Sequence, residues 1–248
     1  MPEPMKNTIP LLLSLLMLLS FASSCTNRNP DTAESFIYDH VAGDRPTGKA
    51  FATRSPVLGP NGMAASVHPL ATQIALDVMK TGGNAVDAAI AANAALTLMN
   101  PIMCGLGGDL FAIVWDPQTE QLYGLNASGR SPQGLSFEQL REELDGRTRI
   151  PMYGPLSVSV PGAVDGWFEM HDRFGTVPMR TLLEPTILYA RNGFPITPVT
   201  AHYWDVDGIR LLQENSDDIT EMENLMETFT IDGRAPQAGE LFTNPDFA

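Results

Sequence analysis

Cysteine, positive charge and histidine are scarce in this chain, and each shortage removes a class of function. There are 2 cysteines in 248 residues, Cys25 and Cys104. Cys25 closes an apolar leader; if it carries lipid, Cys104 is left without a partner and a structural disulfide within the chain is excluded. Lys and Arg total 15 against 29 Asp and Glu, a net charge of −14, and no basic run occurs anywhere. That balance argues against nucleic acid, whose phosphates require a basic patch. The 4 histidines, His40, His68, His171 and His202, are far apart and lack metal-ligand spacing. Asp217, Asp218, Glu221, Glu223 and Glu227 make an acidic stretch, but not at the spacing of a calcium loop, so a solvated helix face fits better. No metal and no cofactor are implied. Nucleotide chemistry has little support too. Gly105-Leu106-Gly107-Gly108 precedes a strand, not a helix, and matches neither dinucleotide nor Walker patterns.

What remains is a chain that can build a core, with 44% hydrophobic and 18% charged residues. Residues 1–25 stand apart from it. Lys6 supplies a positive start, Ile9 to Ala22 is apolar but shorter than the roughly 20 residues a bilayer requires, and small residues lead to Cys25. This is the pattern of a signal peptide. Its end resembles a bacterial lipoprotein cleavage box, with Ala22 where leucine is usual. The resemblance implies export to the periplasm or cell surface and a lipid anchor on Cys25; an ordinary signal peptide cut near Cys25 is the alternative. Residues 26–61 are polar and rich in Gly, Pro, Thr and Asp, a tether or loosely packed arm. The folded part is expected over 62–248.

The stretch Gly62 to Pro132 organises that part. It reads as a strand, two helices, a glycine loop and a hairpin. His68 and Pro69 cap the first helix, whose Leu70, Ile74 and Val78 share a face, and Gly82-Gly83 ends it. Asn84 caps the second, with Asp87 three residues on. Ala85, Ala88, Ala89, Ala91, Ala92, Ala94 and Ala95 make this helix slim, which predicts burial on most faces, and Asn100-Pro101 stops it. Leu110 to Trp115 has no polar alternation, which predicts a strand covered on both sides with Trp115 in the core. Asp116 to Thr119 turns the chain into the returning strand, Gln121 to Asn126, and the hairpin delivers Gly129-Arg130.

Further on, Ser136 caps a peripheral amphipathic segment carrying Phe137, Leu140 and Leu144. Leu156 to Val160 reads as a strand. Pro161-Gly162 opens a helix to about Arg173 that holds Trp167 in the core. Pro178 opens another, with Pro185 expected to kink it and Asn192-Gly193 to close it. Thr197-Pro198 starts a short helix through Trp204. His171 is expected on a helix face. Cys104, before the glycine loop, reads as a small apolar group, with no histidine near in sequence to act as its base.

HPLATQIALDVMKTGGNAVDAAIAANAAL, CGLGGDLF, GRSP, GPLSVSVPGAVDGWFEMHDRFG and LLEPTILYARNGFPIT, in that order, resemble the start of the large subunit of the γ-glutamyltransferases (γ-glutamyltranspeptidases). The likeness runs from about Gly62 to Ala248. It implies the α+β fold of the N-terminal-nucleophile hydrolases, a four-layer αββα sandwich only partly represented here. It also implies a self-cleaving precursor in which a threonine becomes the first residue of a small subunit and attacks the γ-glutamyl carbonyl. No threonine in this chain has that context, so the nucleophile is expected beyond Ala248 and the chain alone is expected to be inactive. The implied partners are a γ-glutamyl donor such as glutathione and the small subunit of the same precursor. One site residue carries over: Arg130 stands where the family binds the donor's α-carboxylate, a task suited to a rigid, permanently charged guanidinium. The chain departs from the usual pattern at Asp109, where a glycine is common, and at Ser131, where an acid is common. A cephalosporin or glutaryl acylase-like amidohydrolase is therefore the alternative, and a lipid-anchored binding module without catalysis a third.

Overall fold

Helix α1 (Pro69–Lys80) starts where the His-Pro pair predicts, with the His68 ring accepting the Leu70 N–H at 3.3 Å. In the computed structural model, which describes residues 57–248, α1 lies against α2 (Ala85–Met99), the centre of the core. A capping box opens α2. Asn84 Oδ1 accepts the N–H groups of Val86 and Asp87 at 2.8 and 3.0 Å, and the Asp87 carboxylate accepts the Asn84 N–H at 2.9 Å. The alanine-rich surface does what its size permits: Ala91 and Ala95 are fully buried, as are Ile90 and Met99. Three helices then pack on α2: α1, α4 (Ala163–Phe174) and α5 (Met179–Asn192). Pro185 sits inside α5, which runs on without interruption to Gly193 at φ 89°.

The hairpin pairs β1 (Leu110–Asp116) with β2 (Gln121–Ala127), in register from Leu110 opposite Ala127 to Asp116 opposite Gln121. α4 covers one of its faces. Gly166 makes this approach possible, because a Cβ there would stand 2.8 Å from the Ala127 Cβ and 3.0 Å from Leu110 Cδ2. A peripheral helix, α3 (Phe137–Glu143), follows the hairpin behind its Ser136 cap. A second, shorter pair joins β3 (Phe194–Pro195) to β4 (Leu241–Phe242) and buries Phe194 completely. The chain is thus α+β, and the strand pairs belong to separate sheets among the described residues.

Four expectations are corrected. β1 is covered on one side only: Phe111, Ile113 and Trp115 on its other face are 67%, 78% and 57% exposed, so Trp115 is not core, whereas Trp167 is 3% exposed and is. Residues 62–67 form no ladder, and Leu156 to Val160 is not a strand but a 3₁₀ turn, Pro155–Ser157, followed by extended chain. In both places the backbone lacks a neighbouring strand among the described residues, and a strand needs one. The short helix after Thr197, α6 (Pro198–Tyr203), does not stop at Trp204 but continues as a π-helical turn, Trp204–Arg210, into α7 (Leu211–Glu214). The buried indole of Trp204 holds that turn by donating to the Phe229 carbonyl at 3.0 Å, at the end of α8 (Met222–Phe229). The leader, Cys25 and nearly all of the tether lie outside the described residues.

Candidate functional site

Residues far apart in sequence meet at the Ala127 end of the hairpin. The Gly108 carbonyl, from the glycine loop, accepts the N–H groups of Gly162 and Ala163 at 3.1 and 3.0 Å. It satisfies donors that the start of α4 would otherwise leave bare. The Val160 N–H donates to the Arg130 carbonyl at 2.9 Å. Glycine is required at two of these contacts. Gly129 has φ 75°, and a Cβ there would fall 1.8 Å from the Val160 carbonyl oxygen; a Cβ on Gly162 would fall 2.3 Å from that of Ala127. The glycine loop, the Gly-Arg pair and the Ser-Val-Pro-Gly segment are therefore one structural unit.

Arg130 emerges from this unit exposed, and its guanidinium makes no hydrogen bond or ion pair among the described residues. Its backbone is held while its side chain is exposed to solvent. Two neighbours were not singled out as site residues from sequence. Ser159 Oγ lies 3.1 Å from Asp109 Oδ1 and 3.3 Å from the Ser128 carbonyl oxygen, within donating distance of both. The one signal for Asp109 was that it interrupts a run of glycines; Ser159 carried none.

Other candidates resolve differently. Cys104 is half-buried, and burial pushes its thiol up, away from the thiolate a nucleophile requires. Asp87 is wholly buried, yet its carboxylate accepts from Thr176 N at 3.0 Å, Thr176 Oγ1 at 2.6 Å and Asn84 N at 2.9 Å. It ties the start of α2 to the loop between α4 and α5 and is structural. His68 is a cap, as expected, and its imidazole is 1% exposed. It lines a pocket of about 180 Å³ with Asn100, Met103, Thr200 and Tyr203. Since Nδ1 accepts a hydrogen bond, the neutral ring carries its proton on Nε2, which is buried without a partner. His171, in α4, meets the Val177 carbonyl at 2.7 Å. A groove of about 960 Å³ between the start of α2, β1 and the end of α4 holds Arg173 stacked 3.9 Å over Tyr123, but its lining does not include Arg130.

Comparison with known proteins assigns this architecture to a class. The crystal structure of cephalosporin acylase from Bacillus halodurans superposes with a TM-score of 0.69 and 38% identity, covering 82% of this chain and 37% of that one. The crystal structure of Helicobacter pylori gamma-glutamyltranspeptidase superposes with a TM-score of 0.66 and 26% identity, over 78% of this chain and 53% of that one. The fold is that of the N-terminal-nucleophile hydrolases. Residues 71–248 match the gamma-glutamyltranspeptidase family profile, and the chain belongs to that family. Among curated relatives, the glutathione hydrolase-like YwrD proenzyme of Bacillus subtilis is 34% identical over 193 residues, 77% of this chain and 34% of its own length. The glutathione hydrolase proenzyme of the same species is 36% identical over 166 residues, 65% of this chain and 28% of its own. The chain thus spans about a third of the length of the curated relatives it matches.

Proposed function

We propose that this chain is the front of the large subunit of an exported γ-glutamyl acyl-transfer enzyme, and that Arg130 binds the α-carboxylate of its γ-glutamyl donor. The observation that carries the reading is the state of Arg130: backbone locked between the hairpin and the Ser-Val-Pro-Gly segment, guanidinium exposed and unpartnered among the described residues. A carboxylate in that position would gain a charge-assisted, two-pronged pair of hydrogen bonds.

The chemistry would be completed by a threonine freed at a new N-terminus in the part of the precursor that follows. Its hydroxyl would attack the donor's γ-carbonyl, its own amine would take the proton and pass it to the donor's nitrogen, and the C–N bond would break to release that amine as the acyl-threonine forms. Water or an amino acid or peptide amine then takes the acyl group. The proenzyme names of the relatives support a cleaved precursor. The uncovered face of β1 supports the need for the remainder, because an apolar patch of this kind calls for a cover. Glutathione hydrolysis by the full-length precursor, with none by residues 1–248 alone, is the expected outcome; activity in the short chain would remove the threonine mechanism.

A second reading has its own support. Asp109 and Ser131 alter the surroundings of Arg130, and cephalosporin acylase is among the structures this chain resembles. A glutaryl-type acyl group ends in a carboxylate that Arg130 could equally hold. Assaying the full-length protein on glutathione and on a glutaryl amide separates the readings by their ratio of kcat/KM. We further propose that Cys25 carries a lipid anchor after export, as the leader suggests. Mass spectrometry of the mature N-terminus should find acylated Cys25; an unmodified N-terminus at another residue would leave export without an anchor.

A further inference from the structure

Arg130 has a charge and a reach but nothing of its own to aim it. The guanidinium has no partner among the described residues, so its placement depends on the backbone beneath it. That backbone is anchored through residues 159 and 160. Val160 N donates to the Arg130 carbonyl at 2.9 Å, and Gly129 packs directly on the Val160 carbonyl. The segment carrying Val160 needs an anchor in turn, because from 158 to 162 it has no regular secondary structure and no strand beside it among the described residues. Ser159 supplies it, with its hydroxyl 3.1 Å from Asp109 Oδ1. A hydroxyl has one proton, and the ionised carboxylate is the stronger acceptor of the two oxygens within its reach. Asp109 is itself fixed, since it follows Gly108, whose carbonyl binds the start of α4, and precedes β1.

We infer that Ser159 and Asp109 form a latch that positions Arg130 for the donor carboxylate, and that Asp109 acts through Ser159, not on the substrate. Both are positioning residues. The inference rests on the carboxylate-binding reading of Arg130. It also gives Asp109 a purpose: where the glycine common in the family would leave Ser159 only the Ser128 carbonyl oxygen, Asp109 supplies a carboxylate that ties it to the start of β1.

Steady-state kinetics on the full-length, self-cleaved enzyme test it, with glutathione as donor and melting temperature measured alongside. Ser159→Ala and Asp109→Ala should each raise donor KM about tenfold, the scale of losing one charge-assisted hydrogen bond, with kcat little changed. The double variant should be no worse than either single one, because both remove the same contact. Ser159→Thr, which keeps the hydroxyl, should hold KM within about threefold of wild type, and Asp109→Asn, which keeps an acceptor oxygen but not its charge, should fall between wild type and Asp109→Ala. A donor KM in Ser159→Ala equal to wild type, while Arg130→Ala raises it, would overturn the latch and leave the Arg130 reading standing. A donor KM in Arg130→Ala equal to wild type would overturn that reading itself. Loss of donor binding in Asp109→Asn as large as in Asp109→Ala would mean that the carboxylate's charge meets the substrate, which also overturns the latch. Should Ser159→Ala fail to fold, the two Asp109 variants decide alone.

Discussion

At the scale of single residues, this molecule uses its few buried polar groups for architecture and leaves its candidate ligand-binding charge outside. Asp87 is the clearest case. Burial pushes its carboxyl up, but the Thr176 hydroxyl and the amides of Asn84, Thr176 and Val177 outweigh that and hold it below its ordinary 3.8. Its contribution is therefore full above pH 3.8 and is lost as pH falls through the lower folded value. Replacing Asp87 by Ala leaves these donors bare and should cost about 3 kcal/mol in denaturant unfolding of the full-length protein. His68 works in the opposite direction. Burial pulls its pKa below 6.5, so the folded protein resists protonation that the unfolded chain accepts. Stability is complete above pH 6.5 and falls as the pH drops below it. His68→Asn keeps a capping oxygen and removes the titration. Unfolding midpoints between pH 7 and pH 5 should fall more steeply for wild type than for this variant, and parallel curves would refute the assignment. Both residues were legible as features of their own helix starts, because His-Pro and Asn-x-x-Asp are local signals. It could not give the bond from Asp87 to Thr176 or the orphaned His68 Nε2, which arise only when distant segments pack.

At the scale of elements, glycines govern how the signature segments meet. Gly129→Ala places a methyl group on the Val160 carbonyl at a backbone angle that disfavours any side chain. It should cost about 2 kcal/mol or more in stability and raise donor KM, read by thermal melting and kinetics of the full-length protein. An unchanged melting temperature would show that the segment simply moves aside. The helices were legible because capping residues, glycine stops and apolar spacing all lie within one turn of each boundary. α1, α2, α4 and α5 begin and end within a residue or so of the positions those signals predict. The strand expectations at 62–67 and 156–160 failed for the opposite reason: pairing is a property of two segments, and no single stretch records whether its partner is near. The π-helical turn at Trp204–Arg210 had no periodic signature and is held by a tertiary bond from Trp204.

At the scale of the molecule, the exposed face of β1 is the most informative disagreement. Its unbroken apolar sequence predicts cover on both sides, and the structure supplies it on one. Phe111, Ile113, Trp115 and, on β2, Leu122 share the open face, since Trp115 stands opposite Leu122 in the register. The sequence of β1 is written for a larger assembly than the described residues, in keeping with a chain that spans about a third of its relatives. Appending the remainder of the precursor should therefore quench binding of an apolar dye that the short chain takes up, and equal binding by both would count against a cover. As a candidate ligand-binding residue Arg130 rests on the family motif, because an arginine after a hairpin is by itself more often a surface charge than a ligand.

The measurement that bears most directly on this account is donor affinity in Arg130→Lys of the full-length precursor. Lysine keeps the charge but not the fork of donors. The account predicts normal self-cleavage, a rise of roughly tenfold or more in KM for glutathione and a smaller change in kcat. A KM equal to that of the wild-type enzyme, with self-cleavage intact, would contradict it.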